Sequence, residues 1–187
     1  MIPDEFLADV LANPVNRIIF KRLPRLALPD AWLASGAVFQ PIWNGLTKRD
    51  AQYGIKDYDI FYFDPDISYA AEDAAIKKAR VLFADVSAAI EVRNQARVHL
   101  WYEGKFGTPY PPLMRATDGI DRFLMPCAQV GVRPSDDGFR VYAPKGFDDI
   151  AQMIVRPNRC PNFHPDHYRE KAIRWKELWP ELTILPV

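Results

Sequence analysis

The apolar positions at the start of the chain recur with helical spacing. Leu11, Val15, Ile18, Ile19 and Leu23 form one stripe, with Arg17, Lys21 and Arg22 on the other side. That pattern predicts two short helices, Pro3 to Leu11 and Pro14 to Leu23. Asn13 followed by Pro14 is a good start for the second, a capping side chain and then a residue with no N–H to leave unpaired. Asp30 to Ala34 fits a short helix or strand, Ser35-Gly36-Ala37 a tight turn of small residues, and Val38 to Leu46 a further helix.

The period then changes to two. Ile55 to Asp64, IKDYDIFYFD, is aromatic and β-branched and reads as a strand in which Asp57 and Asp59 project to one face. Pro65 stops it, and Ser68 opens a helix running to about Phe83 with Ala75, Ala79, Leu82 and Phe83 inward. From Ile90 to Tyr102, IEVRNQARVHLWY alternates again. Ile90, Val92, Ala96 and Val98 take one face; Glu91, Arg93, Gln95, Arg97 and His99 take the other, with Asn94 interrupting the apolar series. A polar face carrying a carboxylate and two guanidinium groups predicts a strand that lines a site.

The second half reads as looser. A short helix is expected over Asp118 to Met125 and a hairpin from Val130–Arg133 and Phe139–Tyr142. Pro144 to Met153 holds a turn and a short helix. His167 to Leu178 reads as a closing amphipathic helix, with Tyr168, Ala172, Trp175 and Leu178 inward.

Composition narrows the function classes. With 187 residues, 49% of them hydrophobic, the chain can bury the core of a single domain. The 24 basic and 24 acidic residues cancel, which argues against a general nucleic-acid binder held by phosphate neutralisation. No apolar run is long enough to span a membrane, and Asp4, Glu5 and Asp9 do not fit a secretory leader, so a soluble, cytoplasmic protein is expected. Cys127 and Cys160 stand far apart with no disulfide pattern.

The chemistry centres on Asp57 and Asp59. Two neighbouring carboxylates repel unless they share a proton, a basic partner or a divalent metal. A bare D-x-D is more often a solvated strand entry, so the neighbouring motifs decide. Cys160, His164 and His167 are zinc-ligand types within eight residues, but their spacing matches no finger and Pro161 and Pro165 break it, which reads as an ordinary loop. No G-x-S-x-G elbow, G-x-x-x-x-G-K-[ST] loop or G-x-G-x-x-G turn is present.

The order of turn, helix, D-x-D strand, helix and strand with a third carboxylate resembles the nucleotidyltransferases of the DNA polymerase β superfamily, and within it a bacterial branch of nucleotidyltransferase family proteins. SGAVFQPIWNGL, IKDYDIFYFD and EVRNQARVHLWY carry the resemblance, with VYAPKGFDDI and IVRPN more loosely, over roughly residues 28–158. It implies a nucleotidyltransferase fold of the α/β (α+β) class. A short mixed sheet would be flanked by helices, with a helical 1–27 segment before the core and a helical, loop-rich C-terminal part closed by 159–187. It implies a triphosphate held at Ser35, Gly36 and Ala37, and Mg²⁺, as two ions, held by Asp57, Asp59 and Glu91, with Glu91 helping to deprotonate the attacking hydroxyl. Arg93 and Arg97 would pair with phosphates. Ala37 stands where a second Gly or Ser is usual, and Glu91 is one methylene longer than the commoner Asp. The implied partners are an NTP and an acceptor hydroxyl on a small molecule, a protein or an RNA end. The alternative is a catalytically idle nucleotide-binding or toxin–antitoxin-type interaction protein on the same fold.

Overall fold

The computed structural model covers residues 1–187. Two helices lead, α1 (Pro3–Ala12) and α2 (Pro14–Leu26), followed by β1 (Trp32–Ala34), α3 (Gly36–Leu46), β2 (Tyr58–Tyr62), α4 (Tyr69–Leu82) and β3 (Ile90–Asn94). After a 3₁₀ segment at Gln95–Leu100 come α5 (Tyr102–Phe106), α6 (Ala116–Asp121), β4 (Gly131–Ser135), β5 (Gly138–Tyr142), α7 (Asp148–Ala151), β6 (Ile154–Val155), α8 (Pro165–Leu178) and β7 (Thr183–Ile184). No helix is long and apolar enough to cross a membrane.

Asn13 does what its position predicts and more. Its Oδ1 accepts from Val15 N at 2.8 Å and Asn16 N at 3.2 Å, capping α2. Its Nδ2 donates to Tyr58 Oη at 3.1 Å, which ties the helix junction to the opening of β2.

The five-stranded sheet runs β3-β2-β1-β4-β5. Within this sheet only β2 and β3 are parallel, as the crossover through α4 requires, and its other pairs are antiparallel; β6 and β7 form a separate parallel pair. One face of the central strands presents Leu33, Tyr58, Ile60, Tyr62 and Val92 to the main core, with residues of α1 to α4. The opposite face is divided along its length. Trp32, Ala34 and Phe61 meet Ala116 and Ile120 of α6, and the rest of that face carries the charged residues of the site.

The second alternating stretch departs from expectation at Asn94. The strand ends there, because the Asn94 Oδ1 accepts from Ala96 N at 3.1 Å and from Asp64 N at 3.0 Å, turning the chain into a 3₁₀ segment. The residues from Gln95 onward therefore leave the face shared by Glu91 and Arg93.

Candidate active site

Register across three strands builds the site. Ala34 of β1 pairs with Asp59 of β2, and Asp59 pairs with Glu91 of β3, so all three point to one face. Asp57 precedes β2 with the same parity. Directly after Ala34, Ser35 begins the turn into α3. The Ser35 backbone has φ 58° and ψ −134°, a region costly to any residue but glycine, at about 1–3 kcal/mol. It is held there by Ser35 N donating to Val130 O at 3.1 Å and by Asn16 Nδ2 donating to Ala37 O at 2.7 Å. Ser35, Gly36 and Ala37 thus sit at the N-terminus of an eleven-residue helix, where free N–H groups suit an anion. Gln40 lies beneath the turn: a Cβ on Gly36 would come 3.2 Å from Gln40 Nε2, which keeps this position small.

Asp59 is the electrostatic centre. Burial, then the charges of Asp57 and Glu91, push its pKa up to about 7, while Lys171 and Arg93 act in the opposite direction. Lys171 comes from α8, 112 positions later in the chain, and its own pKa is lowered, chiefly by burial. Nothing local in the sequence marks Lys171; it reads as one more cation on an amphipathic helix.

The expected site residues separate into two groups. Asp57, Asp59, Glu91 and Arg93 share the face that follows the Ser35–Ala37 turn. The three carboxylates do not, however, close into one three-ligand group as expected. Glu91 Oε2 is instead held by Arg93 Nη2 at 3.0 Å. Arg97 is elsewhere. Because the strand stops at Asn94, its guanidinium turns to Glu72 Oε2, a largely buried partner, and its Nε donates to Ile67 O at 3.0 Å. It is a structural ion-pair residue and not a lining of this face.

The donor set suits a hard divalent cation: carboxylate oxygens around an Asp whose pKa is raised by burial and by its acidic neighbours. Asp57 and Asp59 could hold such an ion, and Glu91 on the neighbouring strand pairs with Arg93. The Cys160, His164 and His167 cluster has other duties. Cys160 Sγ donates to Arg122 O at 3.5 Å, and His164 Nδ1 accepts from Asp166 N at 3.3 Å at the start of α8.

The structure is thus a mixed α/β protein with an acidic pair beside a small-residue turn at a helix start. The nucleotidyltransferase family model matches residues 21–184, and the chain belongs to that family of nucleotidyltransferases. A solved NMR structure described as revealing a CCA-adding enzyme head domain superposes with a TM-score of 0.80 at 27% identity, covering 100% of this chain and 97% of that one. No curated protein matches the sequence.

Proposed function

We propose that this nucleotidyltransferase is Mg²⁺-dependent and moves a nucleotidyl group from an NTP to an acceptor hydroxyl, releasing pyrophosphate. The observation that carries the proposal is the pairing of Ala34 with Asp59 and of Asp59 with Glu91. With Ser35 directly after Ala34, that register brings the Ser35–Ala37 turn next to the acidic pair, which supports the reading of the turn as a triphosphate site. The α3 N-terminus binds and orients the triphosphate, and Asp57 and Asp59 would hold the cation, which would supply positive charge to the phosphates and to the departing pyrophosphate. The acceptor oxygen bonds to the α-phosphorus as the bond to pyrophosphate breaks, and its proton passes to a carboxylate of the row. Glu91 fills that role once it exchanges Arg93 for the acceptor.

The pairing of Glu91 with Arg93 favours a second reading, an idle nucleotide binder or interaction protein whose third carboxylate is withdrawn. One experiment separates the two. Melting curves are recorded with and without Mg²⁺–NTP, alongside transfer from α-labelled NTP to a pool of small molecules, proteins and RNA. The active reading expects a Mg²⁺-dependent rise in melting temperature and labelled product, both lost in the double variant Asp57→Asn, Asp59→Asn. Binding without transfer to any acceptor gives the idle reading. A Mg²⁺ shift that survives in the double variant places the ion elsewhere.

A further inference from the structure

A cavity of about 540 Å³ opens beside the carboxylate face. Its lining includes Phe61 and Arg93 of the sheet, Trp101 and Tyr110 from the segments after β3, and Lys171 and Arg174 of α8. That volume is right for a mononucleotide-sized ligand and too small for a folded polymer. We propose that this cavity is the acceptor subsite and that the acceptor is a small molecule with an aromatic ring and an anionic group. The proposal rests on the nucleotidyl-transfer reading above.

Position is the first argument. None of Ser35, Gly36 and Ala37 lines the cavity, whereas Arg93, which holds Glu91, does. The Ser35–Ala37 turn follows Ala34 of β1, whereas the cavity takes Arg93 from β3, on the other side of β2, and none of Asp57, Asp59 and Glu91 lines it. An in-line displacement needs the attacking and leaving oxygens on opposite sides of the phosphorus. With pyrophosphate departing at the α3 turn, the attacking hydroxyl enters from the cavity. Its oxygen bonds to the α-phosphorus, the bond to pyrophosphate breaks, and the hydroxyl proton moves to a carboxylate of the row.

The second argument is chemical. The lining is rich in aromatic rings: Tyr102 and Tyr110 lie 4.3 Å apart between centroids, and Phe61 stacks on Phe123 at 5.5 Å. Such surfaces take a flat ring well. The cations of the lining outnumber its one acid, Glu170. Arg122 sits over the Tyr110 ring at 5.9 Å, and its Nη1 is buried without a hydrogen-bond partner. Asn162 is 2% exposed, and its Nδ2 is fixed by Tyr102 Oη at 3.0 Å and Arg122 O at 3.2 Å while its Oδ1 is unpartnered. Aromatic rings lined together with Arg93, Arg122, Lys171 and Arg174 against a single acid match a ligand bearing an anion beside a flat ring.

The test uses AMP as probe, with adenosine and inorganic phosphate as its two halves, titrated calorimetrically into the full chain with and without a non-hydrolysable Mg²⁺–NTP analogue. The expected result is that AMP and the analogue bind together and that adenosine and phosphate each bind at least tenfold more weakly than AMP. Arg122→Met should weaken AMP at least tenfold and leave adenosine unchanged. Trp101→Leu, at a position already 37% exposed and so cheap to alter, should weaken AMP and adenosine alike. Competition between AMP and the analogue would assign the cavity to the NTP itself and overturn the proposal. So would AMP binding indifferent to both variants, or a short single-stranded RNA binding tenfold tighter than AMP. An analogue that binds while AMP does not sinks the acceptor subsite alone; an analogue that does not bind at all sinks nucleotidyl transfer, whatever AMP does.

Discussion

At the scale of single residues, Asp59 ties stability to pH. Its proton is held more tightly in the folded chain, to about pH 7, than at the ordinary 3.8 of the unfolded one. Between those values the folded state carries more protons than the unfolded state, so stability falls as pH rises through that window and levels off above it. The full effect has a ceiling of ~4 kcal/mol, from about 1.4 kcal/mol per pH unit. Asp59→Asn should therefore match wild type near pH 4 and exceed it by as much as a few kcal/mol at pH 8. Urea unfolding across that range measures the difference. Mg²⁺ should flatten the wild-type slope and do nothing to the variant, because a cation beside Asp59 takes over the role of the proton. A pH profile identical in the two proteins would mean that Asp59 ionises freely and is not the centre of the site.

At the scale of elements, Arg93 of β3 and Arg97 of the 3₁₀ segment after it have opposite fates. Arg97 and Glu72 are only 12% and 11% exposed, and Glu72 Oε1 also accepts from Asn94 N at 2.9 Å. Removing Arg97 leaves a buried carboxylate unpaired, so Arg97→Ala should cost about 3–5 kcal/mol of stability. Arg93 is 43% exposed and pairs with an equally exposed Glu91, so Arg93→Ala should change stability by under about 1 kcal/mol. Its effect belongs in ligand binding. Denaturant midpoints of both variants, compared with NTP-analogue affinities, check the contrast. The same pair shows where the sequence was readable. Strict alternation made Glu91 and Arg93 legible, and the D-x-D strand, the capped α2 and the closing helix followed from period and caps. Alternation continued past Asn94 by coincidence, since Gln95 to His99 obey a two-residue pattern while folding as a 3₁₀ turn. What broke the strand was a side chain accepting from a backbone N–H two residues on, and polarity patterns do not register that. Lys171 and Arg122 were illegible for a different reason: each reaches the site through tertiary packing alone.

At the scale of the whole molecule, α8 is both a piece of the core and a wall of the cavity. Trp175 packs edge-on against Trp43 at 5.5 Å and Phe39 at 5.2 Å, and Trp179 meets Trp43 at 5.4 Å and donates from Nε1 to Asn44 Oδ1 at 2.9 Å. Tyr168 Oη adds a bond to Leu185 O at 2.6 Å. Gly54, at φ 71°, lies against Trp179, where a Cβ would come within 2.6 Å of the ring. These aromatic residues join the same buried cluster as Ile60 and Val92 under the active face, so the helix that carries Lys171 and Arg174 has no separate core of its own. Trp175→Ala should accordingly cost about 3–5 kcal/mol. The loss should be shared: hydrogen exchange of the protected amides in β2 and α8 should accelerate by the same factor, as in one cooperative unit. Acceleration confined to α8 would instead make that helix a detachable lid. The acceptor cavity would then exist only while the lid is closed, and AMP affinity in Trp175→Ala would fall by the factor seen in α8 exchange. Under cooperative behaviour the folded fraction of the variant keeps the wild-type cavity, and AMP binds it with unchanged affinity.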